Sequence, residues 1–199
     1  MVALVLLLAF CMVNFGLRTL LHYHRTGSSG FLGLSLRSGP AGAIGGISFL
    51  LGLLSGLAAP LAEMYGLLDP LVEPSRDATI AGIVLCVTGI GATAWAQSSM
   101  GTSWRIGVSE NERTELVAVG PFRWVRNPIF SFMLLTMIGL ALLLPNFLSI
   151  LAFGLLLLGV ETQVRFVEEP YLKRTHGEAY KSYCRRIGRF VPGIGRNTR

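Results

Sequence analysis

Charge is scarce in this chain. Charged residues make up 14% of its 199 positions and hydrophobic ones 52%. That balance excludes an ordinary soluble domain, whose interior could not shelter so many apolar side chains, and lipid has to serve as part of the solvent. Cysteine is scarce as well. Cys11, Cys86 and Cys184 show no paired spacing, so neither a disulfide framework nor a cysteine metal site is expected. The three histidines, His22, His24 and His176, are scattered, and His22 and His24 read as part of a basic interfacial loop. Without a His, Cys or Asp cluster at ligand spacing, no metal is expected. The 11 acidic residues are outnumbered by 17 Lys and Arg, for a net charge of +6. In so apolar a chain this basic excess points to an anionic membrane surface rather than to nucleic acid. Residues 2–21 have no basic leader and no small-residue cleavage site, so a signal peptide is not expected.

What is present is a series of long apolar runs, at residues 2–21, 41–61 and 79–100, and a longer one at 129–160. Each of the first three matches the roughly 20 residues that a bilayer core demands. The last is too long for one helix and is broken at Pro145-Asn146, where proline's missing N–H and fixed φ favour a turn. The expected fold is all-α and integral to the membrane, with five transmembrane helices and a tight hairpin formed by the fourth and fifth. All Lys and Arg except Arg76 fall in the loops after the first, third and fifth helices, whereas the opposite loop carries Glu63, Asp69, Glu73 and Asp77. The positive-inside rule then puts the N-terminus outside and the C-terminus in the cytoplasm. Glycines in the second and third runs (Gly42, Gly45, Gly46, Gly52, Gly56; Gly82, Gly89, Gly91) suit close helix packing, within the bundle or at a dimer face. The chain reads as one membrane domain over 1–199, with three helices in 1–100 and a motif-bearing region in 101–199.

Two stretches on the cytoplasmic side look unlike connecting loops. The first runs through Met100-Gly101-Thr102-Ser103-Trp104-Arg105 and on from Glu115 to Phe130. Its Gly120-Pro121 turn permits close backbone approach to a ligand, and Phe122 and Trp124 offer aromatic faces for a flat group. Arg126 should stand at the mouth of helix four, where a guanidinium suits a carboxylate or phosphate. Asn127-Pro128 reads equally as an N-cap with proline in the first turn or as a ligand contact. The second stretch holds Arg165, Glu168 and Glu169, then Leu172, His176-Gly177, Tyr180 and Tyr183. Arg165 is expected to pair with Glu168 or Glu169 at helical spacing. A glutamate there could instead hold a ligand's ammonium group, since ionisable groups at a membrane boundary invite a functional explanation. Glu161 and Gln163 lie one turn earlier. From residues alone the reading stops at a cytoplasm-facing site for a small zwitterionic ligand.

The ordered set Gly120-Pro121-Phe122-Arg123, Arg126-Asn127-Pro128 with Phe130, Glu168-Glu169, Leu172, His176-Gly177, Tyr180 and Tyr183 resembles the isoprenylcysteine carboxyl methyltransferase family and its relatives among membrane phospholipid methyltransferases. The resemblance covers residues 101–192, with order and spacing kept. Asn127 stands where the family has histidine, Phe130 where it has tyrosine, and His176 where it has phenylalanine. The resemblance implies methyl transfer from S-adenosylmethionine, leaving S-adenosylhomocysteine, to a lipid-like acceptor entering from the bilayer. It implies that Leu116, Val117, Gly120, Phe122, Asn127, Pro128 and Tyr180 contact the cofactor and that Glu168 or Glu169 holds its amino group. Arg126 would position an acceptor carboxylate, with Arg165 as a helper. The expected location is the cell (inner) membrane, with the site facing the cytoplasm. Two alternatives stay open: an amine headgroup or a thiol as acceptor, and a non-catalytic protein whose basic face binds anionic lipid or a partner.

Overall fold

The computed structural model describes residues 1–31, 39–105, 107 and 115–196. Of the cations counted above, Arg37, Arg113 and Arg199 lie outside the described residues. Among the described residues the chain is all-helical, without a β-strand.

Helix α1 runs over Val2–Thr26, with a π-helical segment at Met12–Leu17. Helices α2 (Gly39–Met64) and α3 (Arg76–Ser99) follow. The long fourth apolar run is divided, as its Pro145-Asn146 signal suggests, into α4 (Pro128–Leu143) and α5 (Phe147–Gln163). The turn is held by Asn146, whose Oδ1 accepts from the Ser149 backbone N–H at 3.0 Å and whose Nδ2 donates to Glu63 at 3.1 Å. Helix α5 does not stop at Gln163. It continues through a π-helical turn at Val164–Glu168 into the charged helix α6 (Glu169–Arg186). Four helical stretches are long and apolar enough to cross a membrane: Val2–Thr26, Gly39–Met64, Arg76–Ser99 and Phe147–Arg186, the last kinked at Gly177, where φ is +54°. Helix α4, with 16 residues, is about 24 Å long at 1.5 Å per residue, short of the roughly 30 Å hydrocarbon core.

The bundle is built from two intimate helix pairs, α2 with α5 and α3 with α4. Glycine makes both possible. A Cβ on Gly159 would lie 2.8 Å from the Phe49 backbone nitrogen, and one on Gly52 would lie 2.9 Å from that of Leu156. In the other pair, a Cβ on Gly139 would meet Cys86 Sγ and Gly82 O, each at 2.7 Å. These glycines therefore face inward, into backbone-to-backbone contact that dispersion rewards in lipid. Helix α1 closes the bundle by burying Ala3, Leu7 and Phe10 against Met133, Met137 and Leu140 of α4. The basic loop read from His22 and His24 does not exist as a loop. Both residues continue α1, and His22 is buried with its ring 5.3 Å from that of Trp104.

Candidate functional site

Where α3, α4 and α5 emerge at one end of the bundle, the motif segments close over a cavity of about 230 Å³. One water needs roughly 10–15 Å³ on this measure, so the space suits a whole small molecule. Its mouth-side wall comes from the segment before α4: Leu116, Val117, Phe122, Arg126, Asn127 and Pro128. Glu168, Tyr171, Leu172, Tyr180 and Tyr183 of the π turn and α6 face them. The rest of the wall comes from the long apolar helices and includes Phe15 of α1, Gly45 and Phe49 of α2, Gln97 of α3, Met133 of α4 and Gln163 of α5. The wall is thus not confined to residues 101–199.

The local backbone explains this placement. Gly120 adopts φ +56°, and a Cβ there would lie 2.6 Å from Ser99 Oγ, so the turn needs glycine both for its dihedral and for its space. The 3₁₀ turn Gly120–Arg123 aims the Phe122 ring into the cavity wall, and Tyr183 donates its hydroxyl to the Phe122 carbonyl at 2.6 Å. Trp124, the other aromatic of this turn, is exposed and packs edge-on against Trp95 instead. Asn127 does occupy the N-cap position of α4, with Pro128 in the first turn, but its side chain makes no capping bond. Its Nδ2 donates to the Arg189 carbonyl at 3.2 Å, tying the C-terminal segment down. The Val125–Gly188 bridge and the Arg126 N–H to Gly188 carbonyl bond at 2.8 Å do the same.

Charge at the site is organised around Arg126, which is buried. Its Nη1 donates to the carbonyls of Cys184 (3.1 Å) and Ile187 (3.0 Å). Its Nη2 donates to Glu169 Oε1 (2.8 Å) and the Gly195 carbonyl (3.2 Å). Both ends of the guanidinium fork are therefore occupied by groups of the protein itself. Only the buried Nε–H has no acceptor among the described residues. Glu169 in turn receives Arg189 side-on, with Nε to Oε1 at 2.7 Å and Nη2 to Oε2 at 3.0 Å. These hydrogen bonds, led by Glu169, push the Arg189 guanidinium above its ordinary pKa.

Of the two glutamates that sequence left as alternatives, Glu168 lines the cavity and Glu169 does not. Glu168 is bonded by the Gln163 side chain and lies in the field of Arg105, another residue of the wall. Gly120 also stays out of the wall, since its part is the turn itself. Arg165 is displaced altogether. It is exposed and pairs with Glu161, one turn back, rather than with Glu168 or Glu169. The two glutamates are taken up elsewhere, Glu168 by Gln163 and the field of Arg105, and Glu169 by Arg126 and Arg189.

Sequence reasoning missed the contributions of the first three helices. Gln97 of α3 and Phe15 of α1 line the cavity, and Arg18, counted above as a loop cation, is buried with its guanidinium carbon 4.8 Å above the ring of Trp104, a residue of the first motif stretch. A usable signal existed for Gln97 and Asn14, because amide side chains inside apolar runs are costly unless they have a task.

Residues 78–179 match the family described as Phospholipid methyltransferase. Among curated proteins the chain is similar to Protein-S-isoprenylcysteine O-methyltransferase of Schizosaccharomyces pombe, at 29% identity over 103 residues, 52% of this chain and 44% of that one. It is similar to Protein-S-isoprenylcysteine O-methyltransferase B of Arabidopsis thaliana, at 26% over 115 residues, 57% of this chain and 58% of that one. A third likeness, 26% over 144 residues, is to a Probable protein-S-isoprenylcysteine O-methyltransferase of Oryza sativa subsp. indica, covering 69% of this chain and 75% of the relative. The chain spans about half the length of the first two relatives.

Proposed function

From membership of the phospholipid methyltransferase family, to which the chain belongs, we propose that it transfers a methyl group from S-adenosylmethionine to a carboxylate on a lipid-like acceptor at the cytoplasmic face of the cell membrane. The observation that carries this reading is convergence. Leu116, Val117, Phe122, Arg126, Asn127, Glu168 and Tyr180, drawn from two segments some 40 residues apart in the chain, line one cavity together with residues of the long apolar helices. A wall that joins charged and apolar side chains beside those helices suits a water-soluble cofactor meeting a lipid.

The residues present fit the cofactor. Its amino acid end needs a carboxylate, and Glu168 is the acidic side chain of the π turn that faces the space. Its flat base needs an aromatic wall, which Phe122 and Tyr180 offer. When bound, S-adenosylmethionine supplies an electrophilic methyl on a sulfonium centre. The chain's own part is alignment and the exclusion of water, which such a displacement needs more than acid–base groups. Arg126, held rigid by four bonds from its Nη atoms and with its side chain 1% exposed, would act on an acceptor carboxylate through its positive charge. Glu169 and Arg189 position Arg126 and contact neither ligand in this reading. Arg165 has no part in it.

The topology proposed with this function keeps five crossings. Helix α4 crosses despite its length, because the bilayer thins or flanking residues reach outward to meet a short span. The basic C-terminal ends of α1 and α6 and the basic segment after α3 then share the cytoplasmic side and the N-terminus lies outside. Purified protein incubated with methyl-labelled S-adenosylmethionine and a total lipid extract is expected to yield a base-labile ester. Glu168→Gln is expected to weaken S-adenosylhomocysteine binding about tenfold, as for loss of one charge-assisted hydrogen bond. A base-stable N- or S-methyl product would move the acceptor to an amine or thiol, and unchanged cofactor binding in Glu168→Gln would remove Glu168 from its assigned role.

A further inference from the structure

The residues assigned to the cofactor above account for its ammonium group and its flat base but leave its carboxylate without a cation. The stretch from Gly101 to Arg105 has no part in that assignment, yet Ser103, Trp104 and Arg105 belong to the cavity wall. Its course is fixed at two points. Gly101 turns with φ +57° just past α3, and its carbonyl accepts from Arg18 Nη2 at 2.8 Å. Trp104 is 2% exposed and packs on α1, with the Arg18 guanidinium carbon 4.8 Å and the His22 ring 5.3 Å from its ring centroid. A large aromatic buried in this way anchors the chain, and Arg105 is the next residue.

Arg105 and Arg126 are the two guanidinium groups of the wall, and they differ in what they present to it. The Arg126 side chain is 1% exposed, with its Nη atoms committed to Glu169 and three backbone carbonyls. Arg105 is half-buried. Its Nη2 donates to the Tyr171 hydroxyl at 3.3 Å, and its guanidinium carbon lies 5.7 Å from the centre of that ring. Tyr171 follows Glu168 by three residues, close to one helical turn, and both side chains line the cavity. The positive charge of Arg105 also acts directly on the Glu168 carboxylate. A cation and an anion thus stand near each other on one wall.

That pairing matches a zwitterion. An α-amino acid carries its ammonium and its carboxylate on a single carbon, so a site for it needs an anion and a cation side by side. A guanidinium fork suits the carboxylate half. We propose that Arg105 binds the carboxylate at the amino acid end of the cofactor while Glu168 holds the ammonium on the same carbon. This rests on the reading above that the cavity receives S-adenosylmethionine, and it makes Arg105 a cofactor-binding residue.

Calorimetric titration of the full-length, detergent-solubilised protein with three adenosine thioethers tests this. S-adenosylhomocysteine carries both charges, its decarboxylated aminopropyl analogue only the ammonium, and its deaminated carboxypropyl analogue only the carboxylate. Wild type is expected to bind S-adenosylhomocysteine about tenfold or more tightly than the aminopropyl compound, as for one charge-assisted hydrogen bond. Arg105→Gln is expected to weaken S-adenosylhomocysteine about tenfold and to leave the aminopropyl compound as tight as before or tighter, so that the preference disappears. Glu168→Gln is expected to do the reverse, weakening S-adenosylhomocysteine while sparing the carboxypropyl compound. Should Arg105→Gln not fold, Arg105→Lys carries the same comparison with a smaller loss expected, since it keeps the charge without the fork. Equal affinity of wild type for S-adenosylhomocysteine and the aminopropyl compound overturns the proposal. So does an Arg105 variant that weakens both by the same factor, the sign of a residue that only shapes the wall. An Arg105 variant that keeps the preference and instead raises the acceptor KM also overturns it, and gives Arg105 to the acceptor carboxylate. If wild type binds none of the three compounds, the cofactor reading under Proposed function fails, and this inference with it.

Discussion

Replacing Glu169 with alanine is expected to weaken the fold rather than the cofactor site. The Glu169 carboxylate is the shared anion of two guanidinium groups, Arg126 with a side chain 1% exposed and Arg189 with one 14% exposed. Removing one partner of a buried ion pair typically costs about 3–5 kcal/mol, because the other charge is left unpaired in a medium that solvates it poorly. Arg126 keeps three backbone carbonyls as acceptors, so the lower end, about 3 kcal/mol, is the expected loss. For a chain of this size that corresponds to a fall in Tm of roughly 6–12 °C. The assay is thermal unfolding of detergent-solubilised protein, paired with calorimetric titration of S-adenosylhomocysteine well below the transition. Glu169→Gln keeps one acceptor oxygen and is expected to fall between wild type and alanine. A Tm within about 2 °C of wild type together with lost S-adenosylhomocysteine binding would refute the reasoning. It would return Glu169 to the role of cofactor carboxylate.

The glycine-mediated helix pairing makes a second prediction. Gly159→Ala, whose Cβ would lie 2.8 Å from the Phe49 backbone nitrogen, is expected to cost about 1–3 kcal/mol through separation of α2 and α5. Gly154→Ala on the same helix meets nothing within 4 Å and is expected to be neutral or slightly stabilising, as read by unfolding in mixed micelles; equal losses in both would show that propensity, not packing, governs. Arg165→Ala is expected to leave methyl transfer and Tm nearly unchanged, since its exposed pair with Glu161 is worth at most about 1 kcal/mol. A tenfold fall in activity in that variant would bring Arg165 back to the site.

Much of this protein was legible before any fold was known. The apolar runs, the hairpin break at Pro145-Asn146 and the motif set that identifies the family are all local features, set by composition, by proline and by residue order. Lipid makes them readable, because a span must satisfy its own backbone and so appears as an uninterrupted apolar stretch. The tertiary structure alone decided what the charged residues do. Glu168 and Glu169 are neighbours in sequence, yet one faces the cavity and the other locks Arg126 and Arg189. Neighbours on a helix point about 100° apart, and which of the two meets the cavity depends on how the helix docks against the bundle. The commitment of Arg126's fork to carbonyls at Cys184, Ile187 and Gly195 likewise depends on where the distant C-terminal segment docks. The same holds for Asn14 and Gln97, visible in sequence as amides in apolar runs. Only the packing of α1 on α3 brings them together with their oxygens unpaired, because a hydrogen bond across some 80 residues of chain is a property of the bundle and not of either helix.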